Sequence, residues 1–166
     1  MNDKIKWSYL AGIFDGEGTV CIGQSKSKIG TETLYLQTKI ANTKLELMRW
    51  LIKHFGGVYY SSQHAGRNSV ECYQWMPKGK KNREKFFLGI LPYLVIKRQQ
   101  VVLALDFDRI YSEGSKILKD SSVYLENSVK REEIRLQICQ LNHRGSVETT
   151  RESSEEVQND DIVRSA

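Results

Sequence analysis

The sequence predicts an α+β fold: a four-stranded antiparallel sheet with helices packed on one of its faces and the other face left free. Three observations carry this. Period-two alternation appears in four short segments, 3.6-residue apolar spacing appears in the segments around them, and the order α-β-β-α-β-β-α-α-α brings the strands in hairpin pairs.

Trp7, Leu10, Ala11 and Phe14 recur on one helical face, with Ser8 near the start and Gly18 after the end, so a short helix is expected over 7–17. Residues 19–22 and 33–40 alternate as two strands joined by a polar loop rich in Lys, Ser and Gly. Because successive side chains point to opposite faces, Leu34, Leu36, Thr38 and Ile40 are expected inward, and Thr33, Tyr35, Gln37 and Lys39 outward. The outward set mixes an aromatic, an amide and a cation, which suits base edges and phosphates as well as an ordinary solvated face.

Leu45, Leu47, Met48, Leu51, Ile52 and Phe55 give a helix over 43–55 that stops at Gly56-Gly57. Residues 58–63 and 70–76 read as a second hairpin around the turn His64-Ala65-Gly66-Arg67-Asn68, ended by Pro77. Helices follow over 82–91, broken near Pro92, then over 96–111, and over 124–141 before Gly145.

The 166 residues, 40% hydrophobic and 27% charged, fit one ordinary domain over 1–145. No apolar run approaches the ~20 residues that span a bilayer, so no membrane partner is expected. The polar N-terminus has neither secretory nor transit-peptide character, and an intracellular protein is expected, in bacterial or archaeal cytoplasm or an organelle. Cys21, Cys72 and Cys139 are few, odd in number and far apart, which argues for reduced thiols over disulfides or a Cys-based zinc site. His54, His64 and His143 have no metal-cluster spacing.

The net charge of +5 conceals an asymmetry. Residues 146–166 carry a net −4 and form an acidic tail with too few apolar residues for a core, expected to be mobile or peripherally docked. Residues 1–145 therefore carry +9. A basic body suits a polyanionic partner, although it also serves solubility.

Leu10-Ala11-Gly12-Ile13-Phe14-Asp15-Gly16-Glu17-Gly18 resembles the signature of the LAGLIDADG homing endonuclease family, matching at Leu10, Ala11, Gly12, Asp15 and Gly18. The element order, Asn42 just after the second strand, Phe55-Gly56-Gly57, Tyr73-Gln74-Trp75 and the 92–99 segment are also similar to the family. The resemblance covers a core of 7–113, with C-terminal helices over 114–145 less alike. It implies a LAGLIDADG lobe of αββαββα order with a saddle-shaped sheet.

Physical chemistry fits the motif. Gly12 and Gly16 lie one helical turn apart and with Ala11 leave a face free of bulky side chains, for close packing within one chain or between two. Asp15 and Glu17 sit at a helix C-terminus, where the dipole disfavours negative charge unless a cation or buried partner offsets it.

The resemblance implies a site-specific endonuclease that hydrolyses phosphodiester bonds of double-stranded DNA with Mg²⁺, for which Mn²⁺ or Ca²⁺ can substitute in binding. By the same resemblance Glu17 is the metal ligand and a catalytic residue, aided by the carbonyl of Gly16, while Asp15 orders the turn. Lys97 would be a pocket lysine acting on charge at the scissile phosphate. Asn42 would order water, although it suits an N-cap equally.

The other candidate motif, Leu103-Ala104-Leu105-Asp106-Phe107-Asp108, lacks both glycines, so one motif on one lobe implies a homodimer joined at Ala11, Gly12 and Gly16, and the family resemblance implies an intron-encoded protein. Its target would be near-palindromic. Alternation and resemblance together give the candidate DNA contacts: Thr33, Tyr35, Gln37, Lys39, Tyr60, Ser62, His64, Arg67 and Gln74, with Ser25, Lys26 and Lys28 in the first loop. Tyr73 and Trp75 are expected in the core. The alternatives are an intron RNA maturase, for which RNA would be the partner, or a non-cleaving DNA-binding regulator; the acidic Glu17 favours the nuclease.

Overall fold

The structure is a computed structural model that describes residues 2–26, 32–62, 71–114 and 122–142. The 64–68 turn and the acidic 146–166 tail lie outside the described residues.

Helix α1 spans Asp3–Glu17, starting four residues before the apolar stripe because the Asn2 side chain caps it, accepting the Lys4 N–H at 3.1 Å. Strands β1 (Gly18–Lys26) and β2 (Glu32–Asn42) form the first hairpin, α2 (Leu45–Phe55) follows, and β3 (Val58–Ser62) with β4 (Cys72–Met76) form the second. Helix α3 (Lys80–Ile90) passes into a 3₁₀ turn at Leu91–Tyr93, where Pro92 ends the α-helical ladder. Helices α4 (Arg98–Gly114) and α5 (Ser122–Asn142) complete the described chain. No described helix is long and apolar enough to cross a membrane.

The strands lie in the order β1-β2-β4-β3, all neighbours antiparallel. Register sorts the side chains into two faces. Val20 opposite Thr38, Ile22 opposite Leu36, and Ile40 opposite Trp75 point into the core. There they meet Leu10 and Phe14 of α1, Met48 and Leu51 of α2, Phe86, Phe87 and Ile90 of α3, Val101, Ala104 and Phe107 of α4, and Ile134 and Ile138 of α5. Full burial of each such Leu, Ile or Phe contributes roughly 1.5–3 kcal/mol over leaving it exposed.

Two glycines are required by close approach. A Cβ at Gly18 would sit 2.3 Å from the Phe14 ring, so the last glycine of the 10–18 motif lets α1 turn directly into β1. Gly57 has φ +87°, and a Cβ there would meet the Met76 carbonyl at 2.5 Å. Beside it the Trp75 indole donates to the Gly56 carbonyl at 2.8 Å, which ties the end of α2 to β4.

Among the element starts that differ from the sequence reading, three are set by backbone contacts or conformation. Helix α2 begins at Leu45 because Asn42 Oδ1 accepts the Lys44 N–H at 2.9 Å in a tight turn; Lys44, not Asn42, is the cap residue. Helix α3 begins at Lys80, after Gly79 with φ +83°. Helix α4 begins at Arg98 rather than 96, because the backbone ahead of it is held by Asp15.

Candidate active site and nucleic-acid face

Glu17 ends α1 and Arg98 starts α4, so a C-terminal and an N-terminal helix end face each other across this junction. Each leaves backbone groups without helical partners. Asp15 holds the backbone that leads into α4: its carboxylate, only 8% exposed, accepts the N–H groups of Val95 at 2.8 Å, Ile96 at 3.2 Å and Lys97, the residue just before the helix, at 2.9 Å. In return the buried Lys97 ammonium donates to the main-chain carbonyl of Asp15. The cation thus sits at the negative end of the α1 dipole.

Beside this tie lies an open hollow of about 530 Å³ lined by Gly16, Glu17, Gly18, Thr19, Ile96, Lys97, Gln99, Gln100, Leu141 and Asn142. Glu17 is exposed to it. The α5 end is fixed there by Asn142 Nδ2, which donates to the Val20 carbonyl at 2.8 Å. Gln100 is 7% exposed, and its Oε1 has no hydrogen-bond partner among the described residues. An orphaned buried amide oxygen costs on the order of 1–3 kcal/mol, so its retention beside Glu17 and Lys97 calls for a use.

The structure brings Gly16, Glu17 and Lys97 together at one hollow. It does not bring Asn42 to the hollow lining, and its Oδ1 is engaged in the turn before α2. Gln99, Gln100 and Asn142 were not singled out from sequence; the only signal was the polar pair directly after Lys97-Arg98. Among the described residues no group of three or more His, Cys, Asp or Glu side chains is arranged to hold a metal unaided.

Next to the hollow, α1 shows an open face. Gly12 and Gly16 are exposed, and a Cβ at either would meet nothing within 4 Å. Ile5 and Tyr9 are exposed on the same side. Ala11 is a correction to the expected interface: about 100° round the helix from Gly12, it is fully buried in the protein's own core. The exposed pair Val95 and Ile96, 85% and 61% accessible, adds apolar surface that the sequence reading overlooked.

The free sheet face carries the alternation expected of it. Thr33, Tyr35 and Gln37 are exposed and Lys39 is half-buried, whereas Leu36, Thr38 and Ile40 are buried. The Tyr35 ring covers Gly23 on β1, and Ser25 and Lys26 lie exposed at the strand end. Tyr60 is exposed opposite the half-buried Gln74, and Lys39 Nζ donates to Gln74 Oε1 at 3.1 Å. Trp75 is buried and Tyr73 half-buried on the core side, as expected. The backbone of Ser62 pairs with Cys72, while Lys28, His64 and Arg67 lie outside the described residues. Cys21 shares this face: its thiol donates to Gln37 Oε1 at 3.6 Å, and burial raises its pKa against the lowering effect of Lys39.

No protein-family model and no curated relative match the sequence. Solved structures do match the fold. An archaeal intron-encoded homing endonuclease, I-Vdi141I, in complex with DNA, superposes with a TM-score of 0.68 at 13% identity, over 87% of this chain and 88% of that one. The homing endonuclease I-CvuI, in complex with its target in the presence of 2 mM Ca, gives 0.63 at 19% identity, over 87% and 86%. The LAGLIDADG homing endonuclease I-GzeII with its DNA target gives 0.60 at 17% identity, over 81% of this chain but 44% of that one. The chain has the α+β fold of the LAGLIDADG homing endonucleases, and the likeness first visible at residues 10–18 extends over most of its length.

Proposed function

We propose that the protein is a site-specific endonuclease that hydrolyses phosphodiester bonds in double-stranded DNA, with Mg²⁺ as cofactor and two copies of the chain as the working unit. The observation that carries this reading is the meeting of exposed Glu17 and buried Lys97 at one open hollow, on a fold whose free sheet face presents Thr33, Tyr35, Gln37 and Lys39.

The donor set fits a hard divalent cation held in part by substrate. Mg²⁺ takes one or two carboxylates and completes its shell with water and phosphate oxygens, so Glu17 and the Gly16 carbonyl from each copy are sufficient without a preformed acidic cluster. When bound, the cation would polarise the scissile phosphate and activate water. Lys97 places a fixed positive charge beside that position, where it opposes charge developing on the phosphate.

The unit over 1–145 supplies one such site. The likeness covers nearly all of I-Vdi141I and I-CvuI and less than half of I-GzeII, as expected of a one-lobe chain. The open glycine face of α1, with Ile5, Tyr9, Val95 and Ile96 around it, suits a second copy on a two-fold axis. A two-fold protein reads a near-palindromic duplex.

Selection of cleavable sites from a randomised palindromic duplex library in Mg²⁺ tests the reading. Enrichment of one palindrome, lost in Glu17→Gln, is the expected result. A wild-type dimer that cuts no member in Mg²⁺ or Mn²⁺ would overturn it.

A further inference from the structure

We infer that Asp15 is a positioning residue, acting on the reaction through Lys97; its catalytic half rests on the endonuclease reading. An ionised carboxylate offers about four acceptor positions. Three of those on Asp15 are used by the N–H groups of Val95, Ile96 and Lys97, and the side chain is buried. It is thereby engaged with backbone, not presented to a cation.

The pattern differs from an ordinary helix cap in one respect. Lys97 is tied twice to the same residue, by its own N–H to the Asp15 carboxylate and by its ammonium to the Asp15 carbonyl. Residue 15 lies two positions before Glu17, so the residue that anchors the lysine belongs to the last turn of the helix that delivers the acid. The two functional side chains are separated by 80 positions in sequence, and this tie holds them in one frame. An amide at position 15 keeps one acceptor oxygen and turns NH₂ donors toward backbone donors, so Asp15→Asn releases the 95–97 backbone and with it the lysine.

Two measurements on the full chain test this. In the first, lysine acetylation is followed by mass spectrometry: Lys97 is protected in the wild type and reacts several-fold faster in Asp15→Asn. This readout needs no cleavage, so it judges the tie even if the endonuclease reading fails. In the second, single-turnover cleavage of the selected palindromic duplex is measured in a double-mutant cycle. Asp15→Asn slows the wild type by about a hundredfold, as expected when a reacting group loses its geometry, but slows Lys97→Met by less than about threefold.

The same factor in both backgrounds would reduce Asp15 to a structural cap, and unchanged Lys97 acetylation in Asp15→Asn would overturn the tie. A wild type that cuts no duplex would overturn the catalytic half. Should Asp15→Asn not fold, Asp15→Ser, which keeps one short acceptor, is expected to give the same pattern.

Discussion

Lys39 on β2 donates its ammonium to the side-chain oxygen of Gln74 on β4 at 3.1 Å, joining the two hairpins across the free face of the sheet. Gln74 pairs with Ala41 inside the short stretch where these strands meet, Ile40–Asn42 against Tyr73–Trp75, and Lys39, one residue outside it, reaches Gln74 diagonally. It fixes a cation beside a side-chain amide on that face, a combination suited to base edges. On the endonuclease reading, Lys39→Met and Gln74→Leu should each relax base preference at the same target position, at about 1–3 kcal/mol of discrimination. Because the pair acts as a unit, the double mutant should lose little more than either single one. Specificity profiling of the three variants checks this; additive effects at separate base pairs would count against it.

Glu17→Gln removes the proposed metal charge and nearly preserves shape, so it should abolish cleavage while leaving DNA affinity within about tenfold. Full Mg²⁺-dependent activity in that variant would remove Glu17 from the chemistry. Lys97→Met should slow single-turnover cleavage by a factor on the order of ten to a thousand, the loss of one electrostatic contributor.

Most elements were legible in the sequence because their periodicity is local. The inward row Leu36, Thr38 and Ile40 and the helical stripe Leu10, Phe14 needed no distant information. What the sequence left unread was decided by partners far along the chain. The start of α4 depends on Asp15, about eighty residues earlier, and no spacing within 94–98 encodes it. Ala11 was grouped with Gly12 by size, but one step along a helix turns a side chain by about 100°, and that step carries it into the core. Glu17 and Lys97 were paired by resemblance to a family, not by any pattern of their own. Gln100 escaped notice because a glutamine in a first helical turn reads as a solvated residue.

Gln100 should show opposed effects on stability and activity. Leucine at this position keeps similar volume and removes the orphaned Oε1, which should raise unfolding stability by about 1–2 kcal/mol. If the oxygen serves water or substrate in the hollow, the same change slows cleavage. Urea denaturation and single-turnover rates on one preparation read both; a Gln100→Leu protein that is destabilised would show that the amide has a partner in solution.

Gly12 separates the lobe from the assembly. A Cβ at this position meets nothing within 4 Å in the single chain, so Gly12→Leu brings no clash inside the lobe. Replacing glycine in a helix interior should even favour the isolated helix, by up to about 1 kcal/mol. In a dimer whose α1 helices approach along Gly12 and Gly16, the same side chain overfills the contact, at roughly 1–3 kcal/mol or more per copy. On the endonuclease reading, in which a complete centre takes Glu17 from each of two copies, the expected outcome is a folded monomer with an undiminished circular dichroism melt, lost dimerisation in sedimentation velocity, and lost cleavage. A Gly12→Leu protein that still sediments as a fully active dimer, or a wild type that stays monomeric even on DNA, would exclude the two-fold arrangement.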